Sequence, residues 1–199
     1  MRQLILDLRP DAAPTLDNFL PAANREALQC LRAVAAGRAP DAVIYLWGPA
    51  GSGKTHLLRA SVAACLQRGK PAAYLAAGQS LPPVLPGLLA VDDVQDLDMT
   101  RQVGLFNAIN QAREGAGVVL AAGDAPPTRL SLRADLSTRL AWGLVYALSP
   151  LGDADKLMAL TERAQARGMT LPAEVARYLL THCRRDLPHL LALVDALDA

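Results

Sequence analysis

Five short apolar runs punctuate the first three quarters of the chain, each bounded by turn-forming residues. They are DAVIYLW (41–47), AAYLA (72–76), GLLAVDD (87–93), GVVLAAGD (117–124) and GLVYALSP (143–150). Continuous rather than alternating hydrophobicity suits strands buried on both faces, the condition of a parallel sheet. Between the runs the apolar positions recur with a helical period. A helix from Arg25 carries Leu28, Leu31 and Val34 on one face, with Asn24 placed to cap it and Gly37 and Pro40 to end it. Further helices are predicted over 54–67, 101–113 and 134–142. Strands alternating with helices predict an α/β fold, a parallel five-stranded sheet flanked by helices, with ligands held beyond the carboxyl ends of the strands.

The strand pattern stops near residue 151. Three helical segments follow, 153–168, 171–183 and 187–198, and predict a small all-helical subdomain. Residues 9–18, RPDAAPTLDN, read as a linker, and residues 1–8 as an isolated apolar segment ahead of it. The expected divisions are therefore 1–8, 9–18, 19–150 and 151–199.

Composition narrows the function classes. The net charge is +1, so strong direct binding to DNA is not expected. Cys30, Cys65 and Cys183 have neither disulfide nor zinc spacing, which fits reduced thiols in a cytoplasmic protein. No apolar run approaches the roughly 20 residues a membrane helix needs.

Candidate chemistry concentrates at the end of the first run. Gly48, Pro49, Ala50, Gly51, Ser52, Gly53, Lys54 and Thr55 spell the phosphate-loop pattern between a strand and a helix. The glycines let successive N–H groups turn inward on an anion. Lys54 can reach the β- and γ-phosphates, and Thr55 can offer its hydroxyl to Mg²⁺. Asp92 and Asp93 end another strand. The first is placed to hold the magnesium shell and the second to orient or deprotonate a water, its short reach suiting slow hydrolysis. ADP or ATP with Mg²⁺ is the cofactor these residues imply.

TLDNFL (15–20), GPAGSGKTHLL (48–58), VDDVQDL (91–97), GDAPP (123–127), LSTRLAWGL (136–144) and LPAEVARYLL (171–180) occur in an order and spacing that resembles the AAA+ module of the DnaA family. The likeness runs from residue 15 onward and is strongest to the branch of regulatory inactivators. It implies a P-loop AAA+ subdomain followed by a helical lid. It places Asp124 at the sensor-1 position and Arg139 at that of an arginine finger acting on a neighbouring subunit's ATP. Phe19 and Leu20 would lie near the adenine, or serve as an apolar staple into the next helix, and His56 would be structural. Pro188 stands where the family's lid carries a sensor-2 arginine, which puts the chain's own hydrolysis in doubt.

Set before such a module, Gln3, Leu4, Leu6 and Leu8 resemble the short peptide that docks into the sliding clamp, the β subunit of DNA polymerase III. The resemblance thus implies two partners, DnaA and the clamp, and leaves a homodimer open. It implies a negative regulator of replication initiation that stimulates hydrolysis of the ATP on DnaA. The competing readings are a DNA-acting AAA+ ATPase, such as a helicase loader, and a small P-loop kinase. The first is disfavoured by the neutral charge balance, the second by the lack of an assembled acceptor pocket.

Overall fold

The computed structural model describes residues 13–76, 78–183 and 186–197. Each apolar run becomes a strand: β1 (Val43–Trp47), β2 (Ala72–Leu75), β3 (Leu88–Val91), β4 (Val118–Gly123) and β5 (Leu144–Ala147). All neighbours run parallel, in the order β2-β3-β4-β1-β5. Trp47 is level with Gly123 on one side of β1 and with Ala147 on the other, and Val91 is level with Ala121. The phosphate loop after β1, the two acids after β3 and Asp124 after β4 therefore leave the sheet from one edge.

Helices cover both faces, which explains why the strands are apolar throughout. On one face Ile44, Leu46, Leu88, Ala90, Leu120 and Ala122 meet α1 (Arg25–Ala35) and α2 (Lys54–Gln67). On the other, Val43, Tyr45, Leu89, Val91, Val119 and Ala121 meet α3 (Met99–Gln111) and α4 (Ala134–Ala141). Helix α3 begins two residues before its predicted start, because the Asp98 carboxylate accepts from the Arg101 N–H at 2.8 Å.

Asn24 does not cap α1. Its side chain is 4% exposed, donates to the Ser149 carbonyl at 2.8 Å and accepts from the Ser149 N–H at 2.9 Å. A residue expected to end a helix instead pins the exit of β5.

Pro14–Pro150 is one unit and the segment from Leu151 belongs to a second. The second contains α5 (Asp153–Ala166), α6 (Ala173–His182) and α7 (Leu187–Ala196), packed around Leu160, Ala164, Leu179, Leu180, Leu190 and Val194. Asp186 caps α7 through the His189 N–H at 3.0 Å. The Asp195 carboxylate takes a bidentate pair from Arg163 and a third contact from Arg167, each at 2.8 Å. That carboxylate raises the Arg163 pKa further.

Candidate nucleotide site

The phosphate loop owes its shape to left-handed backbone at Gly51 (φ +77°) and Gly53 (φ +92°). A Cβ on Gly53 would stand 2.6 Å from the ring edge of Phe19, and one on Gly48 would stand against the Leu148 carbonyl. The loop is thus wedged between the segment before α1 and the end of β5. Phe19 is buried and its ring centre lies 5.6 Å from that of His56. His56 Nε2 in turn lies 2.9 Å from the Thr15 carbonyl oxygen. These contacts hold residues 15–19 against the start of α2. Leu20 is half-buried.

Lys54 Nζ donates to the carbonyls of Gly48 (2.6 Å) and Pro49 (3.1 Å), folding across the mouth of the loop. Asp92 is 2% exposed and accepts from three directions. The Thr55 hydroxyl donates at 2.7 Å, the Tyr74 hydroxyl at 2.9 Å and the Asp93 N–H at 3.1 Å. The site therefore brings together Thr55 and Asp92, as the sequence predicts, and adds Tyr74, which no motif marks. Burial comes first among the causes that raise the Tyr74 pKa, with the Asp92 carboxylate adding to it, so the phenol stays a donor.

Asp93 takes a left-handed conformation (φ +48°, ψ +53°), and its carboxylate accepts from Gln95 Nε2 at 3.2 Å. Such strain on a non-glycine residue concentrates at functional sites. Asp124 is exposed just beyond β4, where the Tyr45 hydroxyl fixes the turn by donating to the Ala125 carbonyl at 2.8 Å.

The residues fit a magnesium nucleotide on the chemistry of the donor set. Ser52 Oγ is buried inside the loop without a hydrogen-bond partner, an orphan that a phosphate oxygen would satisfy. One hydroxyl and one carboxylate form a donor set suited to Mg²⁺, which takes one or two protein oxygens beside phosphate oxygens.

Arg139 lies on α4. Its guanidinium carbon lies 4.4 Å from the centre of the Phe106 ring and 5.5 Å from that of Trp142. Among the described residues no carboxylate pairs with it. Gln3, Leu4, Leu6 and Leu8 lie outside the described residues. Among the described residues no helix is long and apolar enough to cross a membrane.

Residues 153–199 match the family model described as Hda, lid domain. The whole fold resembles three solved initiators. Domain III of the Thermotoga maritima replication initiation protein DnaA is 21% identical, with 94% of this chain and 88% of that one covered and a TM-score of 0.74. AMPPCP-bound DnaA from Aquifex aeolicus is 24% identical, with 95% and 66% covered and a TM-score of 0.75. A replication initiator DnaA bound to AMPPCP and single-stranded DNA is 21% identical, with 96% and 66% covered and a TM-score of 0.75. The chain thus spans just under two thirds of the length of the latter two. At these identities the likeness establishes the fold alone, a parallel five-stranded sheet flanked by helices and followed by a small helical unit.

Proposed function

We propose that this chain belongs to the DnaA/Hda family of AAA+ proteins, a reading supported by the lid match and the shared fold. It binds ADP or ATP with Mg²⁺ and takes part in DnaA-linked control of replication. Gly48 to Thr55 hold the phosphates, and Thr55 and Asp92 hold the metal. Magnesium so held would neutralise charge on the phosphate oxygens. The bound nucleotide organises the interface and need not turn over.

The working group is Arg139, offered to ATP on a DnaA molecule. An arginine supplied from a neighbour stabilises the charge that develops during phosphoryl transfer and raises the rate by about 10³ to 10⁵. Hydrolysis converts DnaA to its inactive ADP form. Gln3, Leu4, Leu6 and Leu8 dock the chain on the sliding clamp. The observation that carries this reading is the state of Arg139, held against two aromatic rings with no carboxylate paired to it among the described residues. An arginine meant for a phosphate on another molecule needs that availability.

Single-turnover hydrolysis of ATP by DnaA, with and without this protein and the loaded clamp, tests the proposal. The wild-type chain accelerates it and Arg139→Ala does not, while ADP binding by the variant stays unchanged. Acceleration by Arg139→Ala equal to wild type would refute the assignment.

A further inference from the structure

Trp142 is 53% exposed, yet two guanidiniums lie over its ring. Arg113 is 4.7 Å from the ring centre and Arg139 is 5.5 Å from it. Around Phe106 the pattern repeats, with Arg139 at 4.4 Å and Arg133 at 5.9 Å. Three arginines and two rings thus alternate along one surface. The carboxylate of Asp135 is engaged by Arg133, at 2.7 Å and 3.2 Å. Among the described residues no carboxylate pairs with Arg113 or Arg139.

The backbone builds this arrangement. Trp142 closes α4, and its N–H donates to the carbonyls of Thr138 (3.1 Å) and Arg139 (3.3 Å). The Trp142 backbone is therefore fixed to the turn that carries Arg139, three residues away, a spacing that lets the two side chains share a face. Arg113 arrives from a π-helical turn, Ala112–Ala116, that follows α3 and ends through left-handed Gly115. An exposed arginine normally samples many rotamers, and ordering it costs entropy. A guanidinium over an indole face is restrained by attraction to the ring, without losing the charge that a carboxylate would neutralise.

We propose that Trp142 is a positioning residue for Arg139: its indole, with Arg113 as the second cation on the ring, sets the direction in which the Arg139 guanidinium meets a phosphate on a neighbouring molecule. This rests on the reading of Arg139 as a finger acting in trans. Trp142 itself touches no phosphate. It acts on the orientation of the arginine, so its loss lowers the maximal rate and leaves docking alone.

Two measurements test this. In a Trp47→Phe background Trp142 is the sole tryptophan, and Arg139→Ala is expected to change its emission because a cation leaves the ring. An unchanged spectrum would show that the contact does not exist in solution. In single-turnover hydrolysis by DnaA, Trp142→Leu is expected to lower the maximal stimulated rate by between about twofold and fivefold, the worth of an exposed cation–π contact. The half-saturating concentration stays put, and Trp142→Phe restores most of the rate. A loss confined to the half-saturating concentration would make Trp142 a docking residue and overturn the inference. So would a loss that phenylalanine does not restore, or no loss at all. Undiminished stimulation by Arg139→Ala would remove the finger and this inference with it. A loss with Arg139→Ala but none with Trp142→Leu would remove the inference alone.

Discussion

Substitutions at Asn24 separate two roles that one side chain can play at the start of a helix. Its amide pairs with both the N–H and the carbonyl of Ser149, at 2.9 Å and 2.8 Å. Each bond is worth about 0.5–1.5 kcal/mol net. Ser149 is exposed, so its freed groups regain water and no orphan penalty is added. Asn24→Ala should therefore cost about 1–3 kcal/mol, which for a domain of this size lowers the melting temperature by roughly 2–12 °C. Asn24→Asp is the discriminating partner. Its carboxylate can accept from the Ser149 N–H but faces the Ser149 carbonyl with like charge, so it should melt at or below the alanine variant. A helix cap would behave otherwise, because aspartate caps as well as asparagine. The effect should reach the nucleotide site as well. Ser149 follows Leu148, whose carbonyl occupies the space where a Gly48 Cβ would stand, so a loosened β5 exit should weaken ADP binding. Melting followed by circular dichroism, with a titration of fluorescent ADP, reads both effects. An Asn24→Asp protein that melts with the wild type would refute the reasoning.

Gly53→Ala should abolish ADP binding and destabilise the protein by more than the roughly 1–2 kcal/mol of left-handed backbone, because its Cβ would meet Phe19. Gly51→Ala has open space around its Cβ and should cost only the backbone term; equal losses for the two in a melting comparison would contradict the wedged loop. Burial, with the neighbouring Cys30 adding to it, pushes the Tyr146 phenol up to about 12, and burial drives Tyr45 in the same direction. The fold favours the neutral phenols, so their contribution is complete below the unfolded tyrosine pKa of about 10 and is lost as pH rises through the folded values. Urea midpoints should therefore decline between roughly pH 10 and 12, less steeply in Tyr146→Phe, and parallel pH profiles for the two proteins would count against this.

The strands were legible because a sheet covered on both faces leaves no polar register, so each appears as an unbroken apolar run. The phosphate loop was legible because left-handed backbone favours glycine at Gly51 and Gly53, fixing letters as well as spacing. Contacts between distant segments left no such trace. Asn24 sits where a cap would sit, and nothing near it in sequence announces Ser149, 125 residues on. Tyr74 reads as a strand aromatic, and only the pairing of β2 with β3 brings its hydroxyl to Asp92. The start of α3 was recoverable, since Asp98 three residues before Arg101 is a cap signal in the sequence. Arg139 could be singled out by family likeness, but its aromatic shelf depends on α3 packing beside α4, which periodicity alone does not reveal.

The most direct test of Arg139 is the rate at which DnaA hydrolyses its bound ATP in a single turnover, with loaded clamp and a saturating amount of this protein. Wild type should raise that rate strongly. Arg139→Ala should leave it at the rate of DnaA alone while binding ADP as tightly as wild type and melting at the same temperature. Stimulation by Arg139→Ala equal to wild type would contradict a finger acting in trans.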